Sequence, residues 1–395
     1  MAEQSILGVV ESVERTTRIP PPSPVEIVVG GALETASVRL TADKDDLWMN
    51  LKRPWAREYL AMIAALQTHK RPVQLTVERR EDGSGEITGV KSTHVMRVRH
   101  LSRLESGDVA VLLRPSVAPR VLRSNSPRFK ELLQALEVAY EHQAQPNNRN
   151  AYVVVADGPT AREGLELQDV QPLQATMQPI SATCPLVPMP QPLKTESQVR
   201  ALVTVLPDLA AAKNLFNAMK ALACDPANVQ GVCTPFAFPE DGCHTRAHQM
   251  CERLLVDHNV VAAKVWVHAS QQSDSGFLSP ETPFDPDCFV NWTYHVAPLV
   301  RVKTGSSRVW RVIDPSLYTS ATNLPTIHKW KVRQKDPHAT HIITEAALFD
   351  NPPSGPDSDD WDPNFCFAPA SLAEYQASLI QQVVNQQGKL PPYCS

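Results

Sequence analysis

Thr234-Pro-Phe-Ala-Phe-Pro-Glu-Asp-Gly-Cys243-His-Thr-Arg-Ala-His248-Gln-Met-Cys251 reads as a turn that hands over to a helix, with a thiol at the point of change. Asp241-Gly242 punctuates the chain, and Ala247, Met250/Cys251 and Leu254/Leu255 then recur on one helical stripe. Cys243 therefore falls at or near a helix N-terminus. Unpaired N–H groups and the positive dipole end favour thiolate over thiol there. The same N–H groups can form part of an oxyanion hole for a carbonyl attacked by sulfur. A cysteine at a random position is usually a core residue. One that follows Pro-Glu-Asp-Gly has a polar, turn-forming approach instead.

Downstream, Trp292-Thr-Tyr-His295-Val reads as a strand start. Alternation puts Thr293, His295 and Ala297 on one face and Trp292, Tyr294 and Val296 on the other. Arg311-Val-Ile-Asp314-Pro-Ser-Leu317 ends the next strand, where a carboxylate can accept the second ring N–H of His295. Asp before Pro is also a common turn starter. Thiol, imidazole and carboxylate together are the parts of a cysteine-nucleophile acyl-transfer site. Helices are expected at Leu209–Leu222, His244–His258 and Leu372–Gln386, the last begun by the capping box Ser371-Leu-Ala-Glu374. Strands are expected at Val260–His268, Trp292–Val302 and Val309–Ile313, the latter two as a hairpin around Lys303–Ser307. A helix bearing the thiol, followed by strands bearing its partners, gives an α+β class.

Rival chemistry is weaker. His244, His248 and Cys251 share one side of the helix, but position 245 is threonine, where a zinc-hydrolase helix needs its glutamate. No metal and no cofactor are expected. The acidic Asp357–Asp362 stretch lacks the glycine and closing glutamate of a calcium loop. All eight cysteines lie between Cys184 and Cys394; with Cys243 catalytic, the odd seven left over suit buried, reduced residues rather than a disulfide framework.

The N-terminal half contains no such constellation. Pro54–Leu66 and Pro127–Ala139 are matching helical stretches, each with strand-like runs before and after it. The expectation is two duplicated β-β-α-β-β modules, residues 1–100 and 101–175. Glu81–Glu86 between two strands reads as a hairpin turn. A proline-rich linker follows at 176–194, then a catalytic domain at 195–395.

The bulk numbers are those of a folded chain: 43% hydrophobic and 20% charged residues. A net charge of −4 with no dominant basic patch gives no case for nucleic acid, and no apolar run suits a membrane span. The start, MAEQSILGVVESVERTT, lacks a basic region followed by an apolar core, so cytoplasmic residence is expected unless a signal-independent route exports the chain.

Three stretches resemble the bacterial protein-glutaminases, cysteine hydrolases of papain-like architecture: Thr234–Met250, Trp292-x-Tyr-His295-Val-Ala and Ile313-Asp314-Pro-Ser-Leu317. Leu348-Phe-Asp-Asn351 continues the likeness, which spans about residues 200–370. The resemblance implies Cys243 as nucleophile, His295 as general base and then acid, and Asp314 as the orienting carboxylate, with Trp292 and Thr293 at the substrate. It implies deamidation of protein- or peptide-bound glutamine to glutamate, with release of ammonia from a thioester-forming step. The same triad serves a papain-like peptidase, a transglutaminase, an effector toxin acting on a partner cell, or an inactivated scaffold that only binds. The segment between Val267 and Trp292, with Ser270–Asp287 at its centre, is longer than in the secreted members and is expected to build a different substrate rim. Those members carry a pro-segment over the cleft; the long N-terminal half here is expected to shield the site in cis.

Overall fold

The computed structural model describes residues 3–18, 33–40, 47–143, 149–161, 164–173, 194–229, 231, 233–270, 276–349 and 367–394. The prolines at 20–24, the expected linker at 176–193 and the acidic stretch at 357–362 lie outside these residues.

Val73-Gln-Leu-Thr-Val77 alternates as a half-buried strand should, and Val73, Leu75 and Val77 are fully buried. They line a closed barrel made by β1 (Glu3–Arg18), β2 (Leu33–Leu40), β3 (Leu47–Asn50), β4 (Pro72–Arg79) and β5 (Gly85–Ser92), in the order β1-β2-β3-β5-β4. Helix α1 (Ala56–Thr68) lies between β3 and β4, and the β3–β5 pairing is parallel. A second closed barrel repeats the plan: β6 (His94–Arg103), β7 (Val109–Arg114), β8 (Arg120–Leu122), helix α2 (Phe129–Glu141), β9 (Tyr152–Ala161) and β10 (Gly164–Pro172), again with its third and fifth strands parallel. This is the five-stranded barrel plan used by oligonucleotide- and oligosaccharide-binding folds.

Each helix is therefore preceded by three strands, not two. The extra strands were hidden because β3 is only four residues long and β6 carries Arg97, Arg99 and His100, which break its apolar pattern. β6 pairs with β7 and β9, so the division between barrels falls at Thr93 rather than at residue 100. The Glu81–Glu86 stretch makes the expected hairpin turn, with Gly83 at φ +82° and the Ser84 carbonyl bonded by the Arg80 N–H.

After α3 (Glu196–Leu202) and β11 (Val205–Leu206) come α4 (Leu209–Lys220) and α5 (Cys243–His258), then a sheet of order β11-β13-β12-β15. Its strands are β12 (Ala263–His268), β13 (Tyr294–Thr304) and β15 (Thr340–Glu345), with β14 (Ser307–Val312) hairpinned onto β13 at the expected turn. The short helix α6 (Ile327–Arg333) and the long α7 (Phe367–Asn385) complete it.

Two expectations are corrected. Ser371-Leu-Ala-Glu374 does not cap α7, which already runs from Phe367; Ser371 is buried mid-helix. Glu374 is instead the buried partner of Arg71, at the end of the α1–β4 connection, and lies 3.6 Å from His94 of β6. Breaking a buried pair strands the other charge in a dry interface, at about 3–5 kcal/mol. Glu374→Gln should therefore lower the unfolding free energy of the full chain by about that amount, as chemical denaturation can measure.

The cysteines are the second correction. Among the described residues, Cys224–Cys233 and Cys288–Cys394 are disulfides, while Cys243 and Cys251 are free. Counting parity misled, because an odd number excludes a complete framework but not two bridges beside a free Cys251; Cys184 and Cys366 lie outside the described residues. The first bridge closes a loop whose Val229 joins the core beneath α1, and the second ties the chain end beside Pro283 and Asp285.

Candidate active site

Gly242 sits at φ +79°, and a Cβ there would stand 2.7 Å from the Tyr375 ring. Glycine alone tolerates both the left-handed backbone and the close approach. The chain can then enter α5 with Cys243 as its first helical residue. Arg246, one turn on and buried, donates to the carbonyls of Phe238 (2.9 Å) and Asp241 (2.5 Å), which fixes the loop that delivers the thiol. Burial pushes the Cys243 thiol up to about 12; the Arg246 charge and a hydrogen bond from the Val296 N–H pull the other way.

Val296 follows His295 on β13, so that bond brings nucleophile and imidazole to the same point of the sheet. His295 Nε2 lies 2.9 Å from Asp314 Oδ2, and among the described residues Nδ1 has no hydrogen-bond partner. Burial favours the neutral ring and holds His295 below its ordinary value despite the Asp314 charge. Asp314 combines both sequence readings. It opens a turn, with Tyr318 N–H on its carbonyl, and its Oδ1 accepts from the Ser316 N–H (3.1 Å) and hydroxyl (2.5 Å). Burial opposes its ionisation, but His295, Ser316 and Trp330 outweigh that and hold the carboxyl below the usual range.

Trp330 of α6 escaped the sequence reading. Its indole N–H donates to Asp314 Oδ2 at 2.8 Å and its ring lies 5.1 Å from that of His295. A lone tryptophan in Lys329-Trp-Lys331 gives no local signal of this. Trp292 stacks on the other side of His295, 4.1 Å away and tilted by 19°, although strand alternation put the two on opposite faces. It precedes the first residue of β13, so the alternation does not reach it. Its indole N–H bonds the carbonyls of Pro239 (3.0 Å) and Glu240 (3.2 Å), tying the histidine strand to the cysteine loop.

Thr293 faces a different neighbour. Its N–H and its hydroxyl both donate to the Val117 carbonyl, at 3.0 and 3.1 Å, and Tyr294 donates to the Pro115 carbonyl at 2.7 Å. Residues 115–119 connect β7 to β8 in the second barrel and reach into the catalytic part, where Val117 joins the core cluster that holds Cys243. Asp241 receives them: its carboxylate accepts from the Ser116 hydroxyl, the Val117 N–H (3.1 Å) and Arg120 Nη2 (3.3 Å). Arg120 is fully buried and also bonds Asp157, Ser116 Oγ and the Ala118 carbonyl. Burial opposes its charge, but Asp157 and Asp241 together raise its pKa. Nothing in Pro115-Ser-Val-Ala-Pro119 marked it as part of the site.

The rival His244/His248 pair is packed between aromatic rings, Phe349 standing edge-on to both at 5.2 Å. Lys264 Nζ lies 2.6 Å from His248 Nδ1, a cation where a metal ion would have to be.

A glutaminase family model matches residues 212–334. A mutant of pro-protein-glutaminase is similar over 67% of this chain and 86% of its own, at 22% identity and TM-score 0.45. A protein-glutaminase is 30% identical over 38% of this chain and 78% of its own, at TM-score 0.32. The protein-glutaminase from Chryseobacterium proteolyticum is 28% identical over 41% and 83%, at TM-score 0.33. No curated protein sequence matches the chain. Residues 212–334 hold the cysteine, the histidine and the aspartate described above, and with them the chain belongs to the protein-glutaminase family, as a protein-glutamine glutaminase.

Proposed function

We propose that the deamidation runs through a Cys243-His295-Asp314 triad of papain-like arrangement and a thioester on Cys243. The observation that carries this reading is the His295–Asp314 bond, which leaves Nδ1 without a partner beside the residue whose N–H meets the thiol. In this mechanism His295 Nδ1 takes the thiol proton as sulfur attacks the side-chain amide carbon of glutamine. The oxygen charge develops against N–H groups at the start of α5. The imidazolium returns its proton to the amide nitrogen, the C–N bond breaks and ammonia leaves. His295 then deprotonates water, which attacks the thioester and releases glutamate and the free thiol. Asp314, held ionised by its four donors, stabilises the imidazolium and fixes the ring.

The N-terminal half is read as a shield in cis. Its segment 115–119 is supported in that role by the Thr293 and Asp241 bonds and by the nearly complete burial of Cys243. A main chain held as Val117 is, N–H to Asp241 and C=O to Thr293, is how a glutamine residue within a protein would be gripped. Trp292 serves this site as the floor under the imidazole. The shared strand order of the two barrels supports their reading as a duplicated module. The two disulfides favour an oxidising compartment and export over the cytoplasm.

Incubation with a glutamine peptide and a primary amine tests the choice of acyl acceptor. Glutamate and ammonia in equal amounts are expected. Amine incorporated in place of glutamate would turn the reading to a transglutaminase, and a cut backbone would turn it to a peptidase.

A further inference from the structure

Asp241 is a buried carboxylate on the catalytic side whose donors come almost wholly from the other side. Among the described residues of the catalytic part, only the Gly242 N–H bonds its carboxylate, at 2.7 Å. Ser116, Val117 and Arg120 supply the rest from the inserted segment. Arg246 donates to the backbone carbonyl of Asp241 rather than to its carboxylate, although its charge also acts on that carboxylate. Burial opposes the charge, and Arg120 is the largest influence that offsets it, ahead of His244 and Ser116. Once the segment leaves, this position loses its strongest cationic partner and keeps only the weaker influence of His244 and Arg246. A peptide occupying the cleft restores the lost charge balance only if it brings a cation to the place of Arg120.

We propose, resting on the deamidase reading above, that Asp241 is a specificity determinant that selects glutamines followed three residues later by arginine or lysine, on loops able to turn as residues 116–120 do. Val117 marks the place of the glutamine through its two main-chain bonds, and Arg120 lies three residues beyond it. In the segment itself the guanidinium folds back onto Ser116 Oγ (2.5 Å) and the Ala118 carbonyl (3.2 Å), so the cation and the reacting residue approach the enzyme as one turn. A guanidinium suits this role, because one fork can serve the carboxylate and the peptide's own carbonyl together. A carboxylate at the same position would meet Asp241 as a like charge.

The test is an internal competition. The full-length chain is given an equimolar mixture of peptides identical except for Arg, Ala or Glu at the third residue after a single glutamine, and glutamate formation in each is followed by mass spectrometry. All peptides meet the same population of open enzyme, so their ratio does not depend on how often the segment leaves. The Arg peptide should react about tenfold faster than the Ala peptide, the ratio of one charge-assisted hydrogen bond, with the Glu peptide slowest. The preference should narrow as salt is raised. It should fall towards unity in Asp241→Asn and return in part in Asp241→Glu. Moving the Arg to the third residue before the glutamine should remove it in the wild-type chain, which needs no folded variant. Equal rates for the three peptides would overturn the specificity while leaving the deamidase reading intact. A preference that survives in folded Asp241→Asn would overturn the assignment to Asp241. Ammonia from none of the peptides would sink the deamidase reading itself.

Discussion

Arg120→Ala should raise the glutaminase activity of the full-length chain about a hundredfold. Arg120 joins Asp157 of the second barrel to Asp241 of the catalytic part and staples the inserted turn through Ser116 and Ala118. Its removal leaves Asp241 buried without its main cation, and breaking a buried pair in this way costs about 3–5 kcal/mol in a dry site. That cost falls on the closed form alone, because in the open form water can reach the carboxylate. Opening also relieves the burial that pushes the Cys243 thiol up to about 12, while Arg246 and the Val296 N–H remain to favour the thiolate. Two measurements check this: ammonia release from a glutamine peptide, and the rate at which iodoacetamide alkylates Cys243. Both should rise together, with Arg120→Lys falling between wild type and Ala. An intact fold with neither rate changed would show that the Arg120 contacts do not hold the site closed.

Cys243→Ala should reduce activity to the background of the uncatalysed peptide. The remaining groups cannot substitute for sulfur: His295 and Asp314 form a proton relay with no nucleophile to serve, and water attack on an amide carbon is far slower than attack by a thiolate. Stability should change little, since the thiol accepts a hydrogen bond from the Val296 N–H and losing the sulfur leaves a small void. Cys251→Ala makes the contrast. That thiol is buried too, packed in a hydrophobic cluster with a weak hydrogen bond to the Ala263 carbonyl at 3.9 Å, and its loss should cost stability without activity.

What the sequence made legible follows from how local each signal is. The Asp241-Gly242-Cys243 passage was readable because turn chemistry, helix periodicity and thiol position coincide within a few residues. The β13–β14 hairpin was readable for the same reason. β3 and β6 were not: one is too short for alternation to register, and the other carries Arg97 and Arg99 across a face that packs against other parts of the chain. The capping-box reading of Ser371 and Glu374 failed because the residues that use Glu374, Arg71 and His94, are some 300 and 280 positions away in sequence. Trp330 and the segment 115–119 were missed on the same ground. Their roles exist only where distant elements meet: an indole against Asp314, a five-residue connection against Thr293 and Asp241. The four disulfide cysteines were misread because pairing depends on geometry rather than on counting.

The claim that Cys243 is the nucleophile of a glutamine deamidase is tested most directly in a chain whose site is open. Ammonia release from a glutamine peptide is compared between Arg120→Ala and the double variant Arg120→Ala/Cys243→Ala. The account predicts steady release by the first and none above background by the second. Equal release by both would contradict it.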